Sequence, residues 1–223
     1  RRLVGRRRRL GELVMARGDT VLTEAEQARL AEAVRRAEAG TAGEIGVVIS
    51  TRPLVPHANH ALLWAAVIAL ALPWPVALLT PIDVPQLLAL QAAAFVLLGA
   101  LLAFTPLGAR CVPQAVRHAS ARNAALDHFL GLNIHRTSGR TGILIFVALP
   151  EHRVEVVADE AIHARVGPDA WAELCARVLA GAREDRLVEG LEAGIAEAGR
   201  LLGQHAPRRE GDVDELPNRI VLL

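Results

Sequence analysis

The stretch that most constrains this chain is the apolar block from Ala61 to Phe104. It reads ALLWAAVIALALPWPVALLT, then PIDVPQ, then LLALQAAAFVLLGALLAF. A helix needs about 20 mostly apolar residues to cross a hydrocarbon core about 30 Å thick, and neither half of the block carries an ionised side chain. The block therefore reads as two membrane spans joined by a short turn. The competing reading, a pair of core helices in a soluble protein, suits two consecutive uncharged stretches of this length less well.

Details inside the block agree with lipid. Pro73 and Pro75 fall late in the first span, and Pro81 and Pro85 bound the turn. A proline removes one backbone hydrogen bond, which a neighbouring helix, a local kink or interfacial water can make good. Trp64 and Trp74 suit the interface. The turn Thr80 to Gln86 holds one acid, Asp83, and no arginine, whereas Arg52, Arg110, Arg117 and Arg122 flank the other ends. The positive-inside bias then places the turn outside and both soluble segments, with both termini, in the cytoplasm of a cell inner membrane.

The rest of the chain supplies enough residues for one soluble domain. The net charge of +1 makes no case for nucleic acid, and no motif with interleaved aromatics appears. Cys111 and Cys175 lie far apart in unlike settings, so a structural disulfide is not expected. The Arg-rich leader, residues 1–20, allows two readings: a polybasic arm on anionic lipid, or an extension upstream of a start at Met15. No apolar segment directly follows the arginines, so a secretory signal peptide is not expected there.

Thr23-Glu24-Ala25-Glu26 is a capping box, and Leu30, Ala33, Val34 and Ala37 continue from it as one apolar helical stripe. After Gly40 to Gly43, the alternation of Ile45, Val47 and Ile49 predicts a strand over 44–50 with at least one buried face. Beyond the hairpin, Pro113 to Gly131 reads as an amphipathic helix on or just under the bilayer, its apolar residues being Val116, Ala119, Leu126, Phe129 and Leu130. The polar loop 135–142 leads into Ile143 to Leu149, a continuous apolar run typical of a central strand. A turn at Pro150-Glu151-His152 sends the chain back as a second strand over 153–158, antiparallel by its short connection.

Pro168 opens a helix with Trp171, Leu174, Cys175, Val178, Leu179 and Ala182 on one face. Asp185 is expected to cap a last helix with Val188, Leu191, Ile195, Ala198 and Leu202 on one side. The apolar tail Ile220 to Leu223 is expected to dock on the domain. Two antiparallel spans bring the ends of the insert side by side, so the strand before the membrane can join the sheet after it.

Two places have the residue types for chemistry. Asp159, Glu160 and His163 follow a strand directly, where acidic oxygens can hold a divalent cation and the imidazole can ligate it or carry a proton. The bland alternative is that Asp159 caps a short helix while Glu160 and His163 face water. His135, Arg136 and Arg140 lie in the loop before the central strand and suit an anion or lipid phosphate. The bland alternative there is a loop whose arginines meet headgroups without specificity. Gly139-Arg140-Thr141-Gly142 lacks the spacing and lysine of a phosphate loop. Ser50, Ser120 and Ser138 lack a glycine elbow, and Cys175 reads as a small core residue.

Taken in order, Leu22-Thr23-Glu24-Ala25-Glu26, Gly43-Glu44-Ile45-Gly46-Val47-Val48-Ile49, Arg140-Thr141-Gly142-Ile143-Leu144-Ile145-Phe146-Val147 and Arg153-Val154-Glu155-Val156-Val157-Ala158-Asp159 resemble the TPM domain family. Its better-known members are thylakoid-lumen proteins tied to photosystem repair and described as acid phosphatases. The chain looks most like the bacterial membrane subgroup, which also ends in a Glu-Leu-Pro motif, as Asp214-Glu215-Leu216-Pro217-Asn218 does here. The resemblance implies an α/β/α domain with a small mixed sheet and, in some soluble members, a divalent-metal site, calcium or magnesium. Where those members show a Gly-x-Gly-Leu-Glu turn, this chain has Ala158-Asp159-Glu160-Ala161-Ile162.

The expected organisation is a leader over 1–20, the first part of a TPM-like domain over 21–56, a transmembrane hairpin over 57–106, the second part over 107–207, and a tail over 208–223. The expected role is a non-catalytic binding or maintenance factor for membrane proteins, with the bilayer and a membrane protein as partners. A metal-dependent phosphohydrolase is the alternative, and a lipid-headgroup binder using Arg110, Arg117 and Arg140 is a third.

Overall fold

The computed structural model describes residues 21–105, 107–137, 139–208 and 220–223. The leader and the Glu-Leu-Pro motif at 215–217 lie outside the described residues. The chain forms two compact units. One comprises residues up to Leu54 together with Ala121–Leu223; the other is Val55–Ser120.

The first unit opens with helix α1, Glu24–Glu38. The hydroxyl of Thr23 accepts from the Glu26 amide at 3.2 Å, and the Glu26 carboxylate accepts from the Thr23 amide at 2.7 Å. Both bonds of the predicted capping box are therefore made. At the other end of the helix, Glu38 accepts the first amide of strand β1, Ile45–Ser50, at 2.7 Å. Strand β2, Ile143–Ala148, lies parallel to β1, pairing Ile45 with Ile143 through Ser50 with Ala148. Strand β3, Arg153–Ala158, returns antiparallel on the far edge of β2. The tail forms strand β4, Ile220–Leu222, parallel to β1 on its other side. The sheet order is β3-β2-β1-β4.

Helices cover both faces of this mixed sheet. On one face, Ile45, Val47, Ile49, Ile143, Ile145 and Val147 share a core with α1 and three later helices: α7, Glu160–Val166; α8, Pro168–Arg183; and α9, Leu187–His205. On the other face, Val48, Leu144, Phe146 and Val157 pack with Ala125 and Phe129 of helix α6, Gln114–Gly131, and with Ile134 of a short 3₁₀ turn, Ile134–Arg136. Close approach is built in with glycine. A Cβ on Gly142 would meet the Ile134 carbonyl oxygen at 2.4 Å, and one on Gly199 would meet the Ala37 Cβ at 2.7 Å, where α9 crosses α1.

The second unit contains α2, His57–Ala71; α3, Pro73–Leu79; α4, Val84–Phe104; and the single turn α5, Leu107–Arg110. The predicted first span is thus helical on both sides of a break at Leu72. Proline at 73 cannot donate to the carbonyl four residues earlier. Ala61, Ala65 and Ala69 are buried at four-residue spacing along α2, and Gly99 of α4 lies where a Cβ would touch Leu62 at 3.5 Å. Small residues at this seam let the two antiparallel helices pack closely.

Several expectations are sharpened or corrected. The alternation in β1 promised at least one buried face; Val48 is as buried as its neighbours because helices cover both sides of the sheet. In α6 the buried stripe is Ala121, Ala125 and Phe129, while Leu126 and Leu130 are exposed. Asp185 makes no cap; it takes a left-handed turn at φ 60°, and Arg186 precedes α9. The tail does dock, and it does so as a strand, with Thr51 and Leu223 joined by amide and hydroxyl bonds to the Leu223 carbonyl of 3.0 and 2.6 Å.

Candidate functional site

The segments that carry the two groups singled out in the sequence meet through their backbones at one end of the sheet. Strand β2 starts there and β3 ends there, so the Asp159 amide donates to the Gly142 carbonyl at 2.9 Å. Under this corner runs a buried polar network. The Thr141 hydroxyl donates to the Ala42 carbonyl at 2.9 Å, and the Thr137 hydroxyl accepts from the Thr141 amide at 3.2 Å. Thr41 closes it, donating to the Ala206 carbonyl at 2.6 Å and accepting from the Gly43 amide at 3.0 Å. Each of these threonines is no more than 5% exposed, so the corner is held by satisfied hydroxyls.

Asp159 is the N-cap of α7, its Oδ1 accepting from the Glu160 amide at 2.8 Å. Its Oδ2 is buried and has no hydrogen-bond partner among the described residues. Glu160 and His163 are exposed on α7. Among the described residues no three His, Cys, Asp or Glu side chains converge as a cation cage. What the corner offers a cation is therefore one buried carboxylate oxygen with two exposed side chains on the same short helix.

In the neighbouring loop, Arg136 and Arg140 are exposed and His135 is half-buried. His135 Nδ1 is buried without a partner among the described residues, and the ring lies 6.4 Å from that of Phe129. Arg140 sits at φ 48°, its amide donating to the Thr137 carbonyl at 3.0 Å. Left-handed backbone costs a non-glycine residue about 1 kcal/mol or more, so the loop is specifically shaped and points its arginines to solvent.

The opposite end of the sheet holds a group that sequence reading passed over. Glu151, in the β2–β3 turn, is only 8% exposed; its Oε1 accepts from the Leu54 amide at 2.7 Å, and its Oε2 is buried without a partner among the described residues. A turn glutamate looks solvated in sequence. Only the register that lays the 51–54 segment beside this turn buries it. Cys175 behaves as predicted for a packed thiol: burial, helped by the charge of Glu155, pushes it up to about 11, away from the reactive range.

No family model and no curated protein matches the chain. Among solved structures, it is similar to the NMR structure of the BA42 protein from the psychrophilic bacterium Bizionia argentinensis. The TM-score is 0.59 at 21% identity, with 93% of this chain and 99% of that chain covered. At that identity the likeness is one of fold.

Proposed function

We propose that this chain is an integral protein of the cell inner membrane, in which a two-span hairpin interrupts a TPM-like α/β/α domain, and that the domain binds a partner protein at the membrane without catalysing a reaction. The observation that carries this reading is the apolar pair of helices. His57–Leu79 and Val84–Phe104 have mean hydropathies of 2.2 and 2.4, with only 11% and 6% of their most apolar windows buried. Core helices of a soluble protein bury such surface, whereas here Leu78, Leu79 and Phe104 are each more than 80% exposed. Exposed apolar area on this scale is costly in water and favourable in lipid. The arginine distribution supports a cytoplasmic domain.

Topology reporters inserted at the 81–83 turn and after Leu223 test the orientation: the first is expected outside and the second inside. Release of the full chain from membranes by alkaline carbonate would sink the membrane reading. A partner that copurifies reproducibly in detergent is expected, and its absence across independent preparations would sink the binding role.

The second reading, a metal-dependent phosphohydrolase, is favoured by the unpartnered Oδ2 of Asp159. Asp159, Glu160 and His163 would hold calcium or magnesium, and Arg140 would steer phosphate. A bound divalent cation supplies charge stabilisation to a phosphoryl group and acidifies bound water. This reading requires that the protein cleave a phosphomonoester with added cation and that Asp159→Ala abolish turnover; unchanged turnover in the variant eliminates it.

A further inference from the structure

We infer that the hairpin pairs with a second copy of itself through Gln91; this rests on the membrane reading above. Gln91 is the only polar side chain between Leu87 and Leu102. It lies seven residues into α4, about 10 Å along the axis from Val84, and hence inside a hydrocarbon core about 30 Å thick. On α4, Leu87, Gln91, Ala94 and Leu98 are half-buried at spacings of four and three, so Gln91 stands at the margin of the intramolecular seam. Its neighbours Leu88, Ala92 and Phe95 are exposed.

The Gln91 amide makes no hydrogen bond among the described residues. It does not use the carbonyls of Ala69 and Ala71, which Pro73 and Pro75 leave without their usual amide donors. A primary amide carries two donors and an acceptor. In water such a group is satisfied by solvent, but in lipid the partner has to come from another protein group.

A second copy fits this need by its chemistry. Two Gln91 amides related by a two-fold axis each donate to the other's oxygen, so the contact is self-complementary, as an isologous interface requires. The small side chain of Ala92 beside Gln91 lets a second helix approach closely. An amide–amide bond in place of an unpaired amide makes this the face of α4 on which two hairpins meet.

The test uses the full chain in phosphatidylcholine vesicles, labelled in separate pools with donor and acceptor dyes at Cys111 in a Cys175→Ser background. Flotation with the vesicles is scored first. Energy transfer that falls as lipid is added at constant protein is expected for wild type and for Gln91→Asn, which keeps an amide. Gln91→Leu, of similar size and apolar, is expected to need roughly tenfold more protein per lipid to reach the same transfer. Flotation without transfer in wild type, or transfer equally strong in Gln91→Leu, overturns the inference and leaves the membrane reading standing. Failure to float overturns both.

Discussion

Removing the Asp159 carboxylate separates a helix cap from a cation site by the size and cation dependence of the loss. Asp159→Ala deletes the Oδ1 acceptor that holds the Glu160 amide at 2.8 Å, which at an N-cap costs about 1 kcal/mol. The same change removes the buried, unpartnered Oδ2, whose desolvation costs about 1–3 kcal/mol in the folded chain. The two terms oppose, so in chelator the variant should melt within about 4 °C of wild type, a shift worth about 1 kcal/mol for a domain of this size. Asp159→Asn keeps the cap and should lie closer still.

If Asp159 acts only as a cap, millimolar calcium or magnesium leaves all three proteins where they were. A cation bound to the native state at a hundredfold over its Kd would instead add about 2.7 kcal/mol, raising the wild-type midpoint by roughly 5–10 °C. The assay is thermal unfolding in detergent, followed by near-ultraviolet circular dichroism, with and without cation. A rise in wild type that vanishes in Asp159→Ala would refute the cap-only reasoning and establish the cation site.

Three further outcomes follow from packing and burial. Thr23→Ala removes the hydroxyl that accepts from the Glu26 amide, leaving the backbone half of the capping box, and should cost about 1 kcal/mol, read as a lower denaturant midpoint with an unchanged slope. Phe146→Ala empties a fully buried site stacked 5.7 Å from His128 and should cost about 3–5 kcal/mol; a loss under about 1 kcal/mol would mean that α6 does not cover this face. The Cys175 thiol, raised from 9.0 to about 11, gains stability from its folded-state proton that is fully present below pH 9 and lost as the pH rises through 11. In a Cys111→Ser chain at pH 8, iodoacetamide should therefore modify native Cys175 roughly a hundredfold more slowly than the denatured thiol, and equal rates would contradict its burial.

What was legible in the sequence was what local chemistry decides. The reciprocal bonds of Thr23 and Glu26 need only four residues, and the unbroken apolar run of β2 states that both its faces are covered. The strand identity of Ile220–Leu222 was not legible, because three apolar residues become a strand only where β1 offers an open edge. The face of α6 that packs on the sheet was not legible for a related reason. The small Ala121 and Ala125 are buried with Phe129, while the larger Leu126 and Leu130 stay exposed. At the candidate site, the residues at 159–163 and 135–140 were legible as types, while the backbone bond from Asp159 to Gly142 that joins their segments depends on the β2–β3 register. The buried state of Glu151 left no sequence signal at all.

The parallel ladder between β1 and β2 also constrains the insert that separates them. Parallel neighbours require a crossover connection, and here that crossover contains both apolar helices as well as α6. Six residue pairs, from Ile45 with Ile143 to Ser50 with Ala148, must lie side by side. One membrane crossing would strand β1 and β2 on opposite sides of the bilayer, so under the membrane reading the number of crossings has to be even. That makes the break at Leu72 a kink within the first span and excludes a topology in which α2 or α4 crosses alone. The same geometry explains why a hairpin can be placed inside a domain at all: its antiparallel helices return the chain to the side it left. The remaining crossover, ending in α6, then covers the sheet face lined by Leu144 and Phe146.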